Sequence, residues 1–407
     1  MRHPVQAQAA QTAQAASSGL ARSALAEFGV PLPLPLPHPL ALFTNPIVLP
    51  APPGGSADPS VVFHEGRYHY CRSLADGALG VASAARLQDI GREAMVVVWR
   101  PQAGTAWSSQ IWAPELQCVK GRWTIYFAAS DGENRNHRMY VLQADTPDPQ
   151  GGYTFKGKVA LPKDCADCWA IDGIAVEHAG GLYFVWSGWR QNDDGFPQVL
   201  YIAPMSDACT ISGERRELAA PLHAWERHGA ALIEGPAVLY AAGRIFLSYS
   251  ASGSWTDDYA LGLLAFSGGD ILSPNSWVRS DTPRFMRCAK AGVFGPGHNS
   301  FVKSPDGQED WMVYHATDRA GGGWARRSVR AQRIGWSADG EPELGLPVAS
   351  GKPITEPSGS PRLNPADAAR LALVAARQPR PTRKQKQKQK RTLMAAAVAP
   401  ASNGHPV

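Results

Sequence analysis

Between residues 45 and 350 the chain consists of short runs rich in Val, Ile, Tyr, Phe and Trp, punctuated by Gly and Pro, and segments of helical period are almost absent. One pattern dominates: a polar residue, an apolar strand, a glycine turn and an aromatic strand. It occurs as ADPSVVFHEGRYHYCRS around Asp58, APELQCVKGRWTIYFAAS around Glu115, IDGIAVEHAGGLYFVWSG around Asp172, EGPAVLYAAGRIFLSYSAS around Glu234 and GHNSFVKSPDGQEDWMVYHA around His298. The turn glycines read as Gly66, Gly121, Gly181, Gly243 and Gly307, so the unit recurs at roughly 55–64 residues. A multi-strand unit repeated at this period predicts propeller blades, and five copies predict an all-β, five-bladed β-propeller. The blades are expected to run from Asn45 to Arg100, then to Pro149, Met205, Ser280 and Gly345.

Outside the repeats the pattern changes. Residues 1–44 are Ala/Gln-rich and then Pro-rich, and read as a flexible segment without a recognisable signal peptide or membrane span. Residues 351–407 read as a Pro-rich and basic tail, largely disordered, with one short helix over Pro365–Ala376. Residues 45–350 are then the working domain.

The formal net charge of +5 changes the picture only through its location. Eight of the 40 basic residues lie in Arg377–Arg391, which holds no acid, so the remaining chain is mildly acidic against 35 Asp and Glu. A neutral substrate is expected of the body, with no nucleic acid and no membrane as partner. The six cysteines are scattered apart from Cys165 and Cys168; with no second pair they predict free thiols or a local disulfide rather than a zinc site. The 13 Trp and 11 Tyr fit core packing for the most part, with some left for sugar-binding faces.

In a propeller the innermost strand of each blade lines the central channel. Asp172, Glu234 and His298 each stand nine residues before their turn glycine and Asp58 eight before, so the four are expected at one end of the channel; Glu115, only six before, is set apart. Carboxylates gathered in one pocket split their pKa values, leaving one protonated and another ionised. Inverting glycoside hydrolysis needs that combination, an acid on the leaving oxygen and a base across the sugar about 6.5–9.5 Å away. No G-x-S-x-G elbow, Walker loop, or RDP and EC pair of the fructan-cleaving propellers occurs.

The segments ADPSVV, IWAPEL, NHRMYV, AIDGIAVEHAGGLYFVWSG, EGPAVLYAAGRIFLSYSAS and GPGHNSFV resemble the blade motifs of glycoside hydrolase family 43, in particular its α-L-arabinofuranosidases, over Asn45–Gly345. The resemblance implies a propeller and a single-step inverting hydrolase. Asp58 would be the general base, Glu234 the general acid and Asp172 the carboxylate that tunes the acid; Glu115 would be structural. His298 matches a channel histidine that is either structural or close to a structural calcium ion; no cofactor is implied for the chemistry. Trp112 fits either a sugar-stacking face or the core. Arg330, with Gln332, matches a segment that places an arginine near the pocket, although the preceding AGGGWARRSV departs from the family's pattern. Gly173 stands where relatives carry a larger residue and is expected to widen the pocket floor. The implied activity is removal of terminal α-L-arabinofuranosyl residues from arabinan- or arabinoxylan-type oligosaccharides, with a β-xylosidase or a non-catalytic carbohydrate-binding propeller as the alternatives. Family members are often exported, so an extracellular or periplasmic place is expected by resemblance alone.

Overall fold

Each repeat folds as an antiparallel hairpin, and in the first four the two-residue turn has both residues in the left-handed region. The turns are Glu65–Gly66 (φ 46° and 76°), Lys120–Gly121 (48° and 78°), Ala179–Gly180 (47° and 81°) and Ala242–Gly243 (48° and 75°). These are type I′ turns, whose twist matches that of the flanking strands. In the third unit the turn glycine is therefore Gly180, and Gly181 already pairs with His178 across the hairpin. This corrects the sequence register by one residue.

The computed structural model describes residues 41–51, 55–162, 167–192 and 195–377. The N-terminal segment up to residue 40, Cys165 and the basic tail from residue 378 onward lie outside the described residues. Five sheets carry the repeats in order. Their innermost strands are Ser60–His64, Ser109–Val119, Ala170–His178, Ile233–Ala241 and Phe294–Lys303. The first, second and fourth sheets have four strands each, joined sequentially. The third has five, because Thr210–Ile211 and Arg216–Ala219 both pair with Val199–Asp207. That blade thus continues past Met205, its expected end, to Ala219.

The fifth sheet has only the three strands Phe294–Lys303, Asp310–Thr317 and Ser328–Arg333. Its free edge is covered by residues that precede the first blade. Val48 bridges Val329, and Asn45 exchanges two hydrogen bonds with the backbone of Ala331, each 2.9 Å. The last sheet is thereby closed by the start of the domain, which satisfies an edge that would otherwise be exposed. The pairing goes further in both directions: strand Leu42–Thr44 pairs with Pro353–Thr355. The ordered fold therefore crosses both expected limits, residues 45 and 350. Helix Pro365–Arg377 follows, as expected, with Asn364 accepting the Asp367 N–H at 2.8 Å as its N-cap. Arg370 pairs with Glu93 through two contacts of 2.9 and 2.7 Å and fixes the helix against the first blade.

The core lies between the blades. Five apolar clusters fill the five interfaces, for example Tyr126, Phe184 and Trp186 between the second and third sheets, and Tyr68, Val313 and Val329 between the first and fifth. The other three are centred on Phe127, Leu247 and Phe246. Each sheet is thus apolar on both faces, which explains why the strands read as nearly continuous apolar runs. Among the described residues the cysteines are free, and no helix is long and apolar enough to cross a membrane.

Candidate active site

Every blade has a residue with positive φ at the same place near the start of its innermost strand: Asp58 (47°), Ala113 (40°), Asp172 (56°), Gly235 (55°) and His298 (44°); the second and fifth blades have a further one, Gln110 (49°) and Gly295 (53°). In the second to fifth blades the strand pairing slips at this point, as a β-bulge requires. The left-handed region costs a side-chain-bearing residue of order 1–3 kcal/mol and such strain gathers at functional sites. Asp58, Ala113, Asp172 and Gly235 each stand eight residues before their turn glycine, and His298 reaches the same place through a longer turn.

This ring corrects the position of Glu234. It is not the counterpart of Asp172; Gly235 is, and Glu234 stands one residue earlier, where the second blade has Trp112. A Cβ at position 235 would lie 3.0 Å from His298 Nδ1, so glycine is needed there both for φ and for space. Glu115 stands two residues after its bulge, yet its carboxylate also enters the cluster.

His298 is the hub. Its Nδ1 lies 3.4 Å from Asp58 Oδ1 and 3.9 Å from Asp172 Oδ2, and its Nε2 lies 3.2 Å from Glu115 Oε1. Its backbone N–H donates to Ser250 Oγ at 2.7 Å. Burial alone would lower its pKa, but the three carboxylates outweigh that and push it up to about 10. The buried imidazolium thus balances part of the negative charge. Both ring nitrogens are engaged by carboxylates, which does not fit an imidazole ligating a calcium ion. Among the described residues no group of three or more His, Cys, Asp and Glu side chains could hold a metal.

Asp58 has two further partners. His315 Nδ1 accepts the Asp58 backbone N–H at 3.2 Å, and Arg327 Nη1 lies 3.5 Å from Asp58 Oδ1. Burial would raise the Asp58 pKa, but the positive charges of His298 and Arg327 hold it far below the usual carboxylate range. His315 itself is driven down to about 4, first by burial and then by the nearby cations Arg327 and His298. It is therefore neutral and able to accept that N–H bond.

Glu234 lies among neutral donors. Gln198 Nε2 donates to Oε2 and the Tyr259 hydroxyl to Oε1, both at 2.9 Å. Asp172 Oδ2 accepts the Gly235 N–H at 3.0 Å. Burial raises the pKa of both acids; the negative charge of Asp58 adds to it in each, and that of Glu234 adds further at Asp172. They titrate as a pair that keeps a proton above the ordinary carboxylate range. One site thus combines an acid held ionised, Asp58, with a pair, Asp172 and Glu234, that shares a retained proton.

The family model of the glycosyl hydrolases family 43 matches residues 43–342. The chain belongs to that family. A Streptomyces avermitilis protein named extracellular exo-alpha-(1->5)-L-arabinofuranosidase is 35% identical over 344 residues, covering 82% of this chain and 69% of that protein. Alpha-L-arabinofuranosidase 43 of Humicola insolens is 34% identical over 309 residues; the match covers 72% of this chain and 62% of the relative. The crystal structure of an alpha-L-arabinofuranosidase from Lactobacillus brevis aligns with a TM-score of 0.69 at 33% identity, covering 76% of this chain and 98% of that one.

Within this family 43 site, three residues singled out from sequence fare differently. Trp112 keeps 37% of its surface exposed and stacks on His137, with ring centroids 3.8 Å apart and planes at 24°. A flat indole face thus stands open on the second blade. Arg330 is fully buried, and its guanidinium donates to the Val348 carbonyl and to Ser350 Oγ, at 3.3 and 2.7 Å. It offers no surface to a sugar, and the arginine that reaches the carboxylates is Arg327. Gly173 does not widen a pocket floor, because its Cβ space is filled by the Phe184 ring, 2.2 Å from where that atom would be.

Sequence reasoning missed Gln198, Tyr259, Arg327 and His315. The first three share a place: each is the residue immediately before the third strand of its blade, namely Val199–Asp207, Ala260–Phe266 and Ser328–Arg333. His137, beneath Trp112, holds that place in the second blade, ahead of Arg138–Ala144. Four blades thus use one equivalent position to supply a partner: Gln198 and Tyr259 to Glu234, Arg327 to Asp58 and His137 to Trp112.

Proposed function

We propose that this family 43 glycosidase removes terminal α-L-arabinofuranosyl residues from arabinan- or arabinoxylan-type oligosaccharides in a single inverting step. The carrying observation is the contrast in surroundings within one site: His298 Nδ1 and Arg327 Nη1 lie 3.4 and 3.5 Å from Asp58 Oδ1, whereas buried Glu234 meets only the neutral donors Gln198 and Tyr259, each at 2.9 Å, which favours an ionised Asp58 and a raised pKa at Glu234. Asp58 takes a proton from water as the water oxygen bonds to the anomeric carbon. Glu234 gives its proton to the glycosidic oxygen as the bond to that carbon breaks on the opposite face. One displacement inverts the anomeric centre, and exchange with solvent restores both protonation states.

Asp172 acts through Glu234 by keeping a proton on the pair, and through Gly235 by holding the acid's backbone. His298 and Arg327 keep Asp58 ionised, and His315 holds its backbone N–H. Trp112 offers a stacking face to the sugar. The choice of sugar rests on the names of the relatives from Streptomyces avermitilis and Humicola insolens, and an extracellular place of action fits the first of those names.

A substrate panel tests this. With aryl α-L-arabinofuranoside, aryl β-D-xyloside and arabino-oligosaccharides, arabinose release should dominate. Faster release of xylose would make the enzyme a xylosidase, and binding without release from any substrate would make it a carbohydrate-binding propeller.

A further inference from the structure

Two indoles beside the site have no part in the chemistry above. Trp255 is 41% and Trp324 51% exposed, and neither belongs to an inter-blade core. Their rings meet edge to face, with centroids 5.8 Å apart and planes at 82°. Trp324 Nε1 donates to Ser254 Oγ at 3.0 Å, which fixes the indole. Trp255 is backed by main chain: a Cβ at Gly253 would lie 2.8 Å from its ring, and one at Gly229 3.3 Å. An exposed indole pair held this rigidly is a preformed face rather than a loose loop.

Its place is set by the segments that carry it. Trp255 precedes by four residues Tyr259, the donor to Glu234, and Trp324 precedes by three residues Arg327, the cation beside Asp58. Gly321 N–H donates to the Asp257 carboxylate at 2.9 and 3.1 Å and ties the two segments together. Gly55, three residues ahead of Asp58, passes so close to the Trp324 carbonyl that a Cβ there would lie 2.5 Å from it. The pair therefore stands on the carboxylate end of the propeller, at the fourth and fifth blades, whereas Trp112 stands on the second.

We infer that Trp255 and Trp324 form the wall that binds the leaving-group sugar, the neutral ring joined to the arabinofuranosyl unit through the oxygen that Glu234 protonates. The inference rests on the glycosidase reading above. Glu234 must reach that oxygen, so the ring beyond it lies on the acid's side of the pocket, which is the blade that carries Trp255. The aliphatic C–H face of a furanose or pyranose packs on an indole face, and such a contact selects for a sugar leaving group without any charge.

The test compares kcat/KM for an arabinotriose with kcat/KM for methyl α-L-arabinofuranoside, whose leaving group is methanol and too small to reach the wall. In Trp324→Ala and in Trp255→Ala the ratio of the two should fall at least tenfold, mainly through KM for the trisaccharide. Trp324→Tyr, which keeps a flat ring, should restore most of the ratio, and Trp324→Leu, which keeps only bulk, should not; this second pair decides the matter if an alanine variant folds poorly. An unchanged ratio, or equal recovery by Tyr and Leu, overturns the wall while leaving the glycosidase reading intact. If the wild-type protein hydrolyses neither substrate, the glycosidase reading fails and the wall with it.

Discussion

Asp172 Oδ2 accepts the backbone N–H of Gly235 at 3.0 Å, so the acid of the third blade holds the residue that follows Glu234 in the fourth. The bond ties the acid's backbone to the group that shares its proton. Asp172→Asn keeps an acceptor for Gly235 but removes the ionisable partner. The alkaline limb of the pH profile of kcat/KM should then move down toward the ordinary glutamate range, because Glu234 no longer shares a proton with a second buried acid. An alkaline limb that stays in place in a folded variant would contradict this coupling.

Glu234→Gln should lower kcat on oligosaccharides by about 10²–10⁴-fold, the usual worth of a general acid, and lose far less on a dinitrophenyl glycoside whose leaving group needs no proton. Stability should move the other way. A carboxylate with a raised folded pKa contributes stability below its unfolded value that is lost as pH rises, since the unfolded chain ionises first. The variant has no such loss, so its Tm relative to wild type should increase from pH 4 to pH 8. A Tm difference that is flat with pH would argue against the raised pKa of Glu234.

Arg327→Gln removes a cation 3.5 Å from Asp58 Oδ1. The Asp58 pKa should rise, since an opposite charge at this range is worth about 1–3 units. The carboxyl should then titrate closer to the ordinary aspartate range, which a carbon-13 NMR titration of the carboxyl-labelled protein at low pH reads directly. An Asp58 resonance that titrates at the same pH in both proteins would count against Arg327 as its partner.

Much of this was legible in the sequence, for reasons that can be assigned. The type I′ turns need Gly at fixed places, so Gly66, Gly121 and Gly243 marked the hairpins and Asp58 could be counted back from the turn. The tandem Gly180–Gly181 hid which glycine makes the turn, and this put Glu234 in line with Asp172 when Gly235 holds that place. Gln198, Tyr259 and Arg327 share a structural position but no chemical type, so no motif marks them. His315 sits in the strand Asp310–Thr317, buried throughout, and reads as core. The closure of the fifth blade by Asn45 and Val48 is a contact across nearly the whole domain, which no local pattern carries.

Trp112 and Arg330, both read from sequence as substrate contacts, should separate in kinetics. Trp112→Ala removes an open indole face and should raise KM about two- to tenfold, in keeping with the roughly 0.5–1.5 kcal/mol of an aromatic contact. Arg330→Ala should instead lower stability by about 2–4 kcal/mol, as a cavity in a buried site does, with KM for oligosaccharides close to wild type. Denaturant unfolding and steady-state kinetics on both variants check the assignment, and a large KM effect at Arg330 would reverse it.

In the proposed reaction Asp58 and Glu234 act on opposite faces of one anomeric carbon in a single displacement. Proton NMR during the first minutes of hydrolysis of an α-L-arabinofuranoside by the wild-type protein tests it directly. β-L-Arabinofuranose should appear first and then mutarotate; initial appearance of the α anomer would rule out the single displacement.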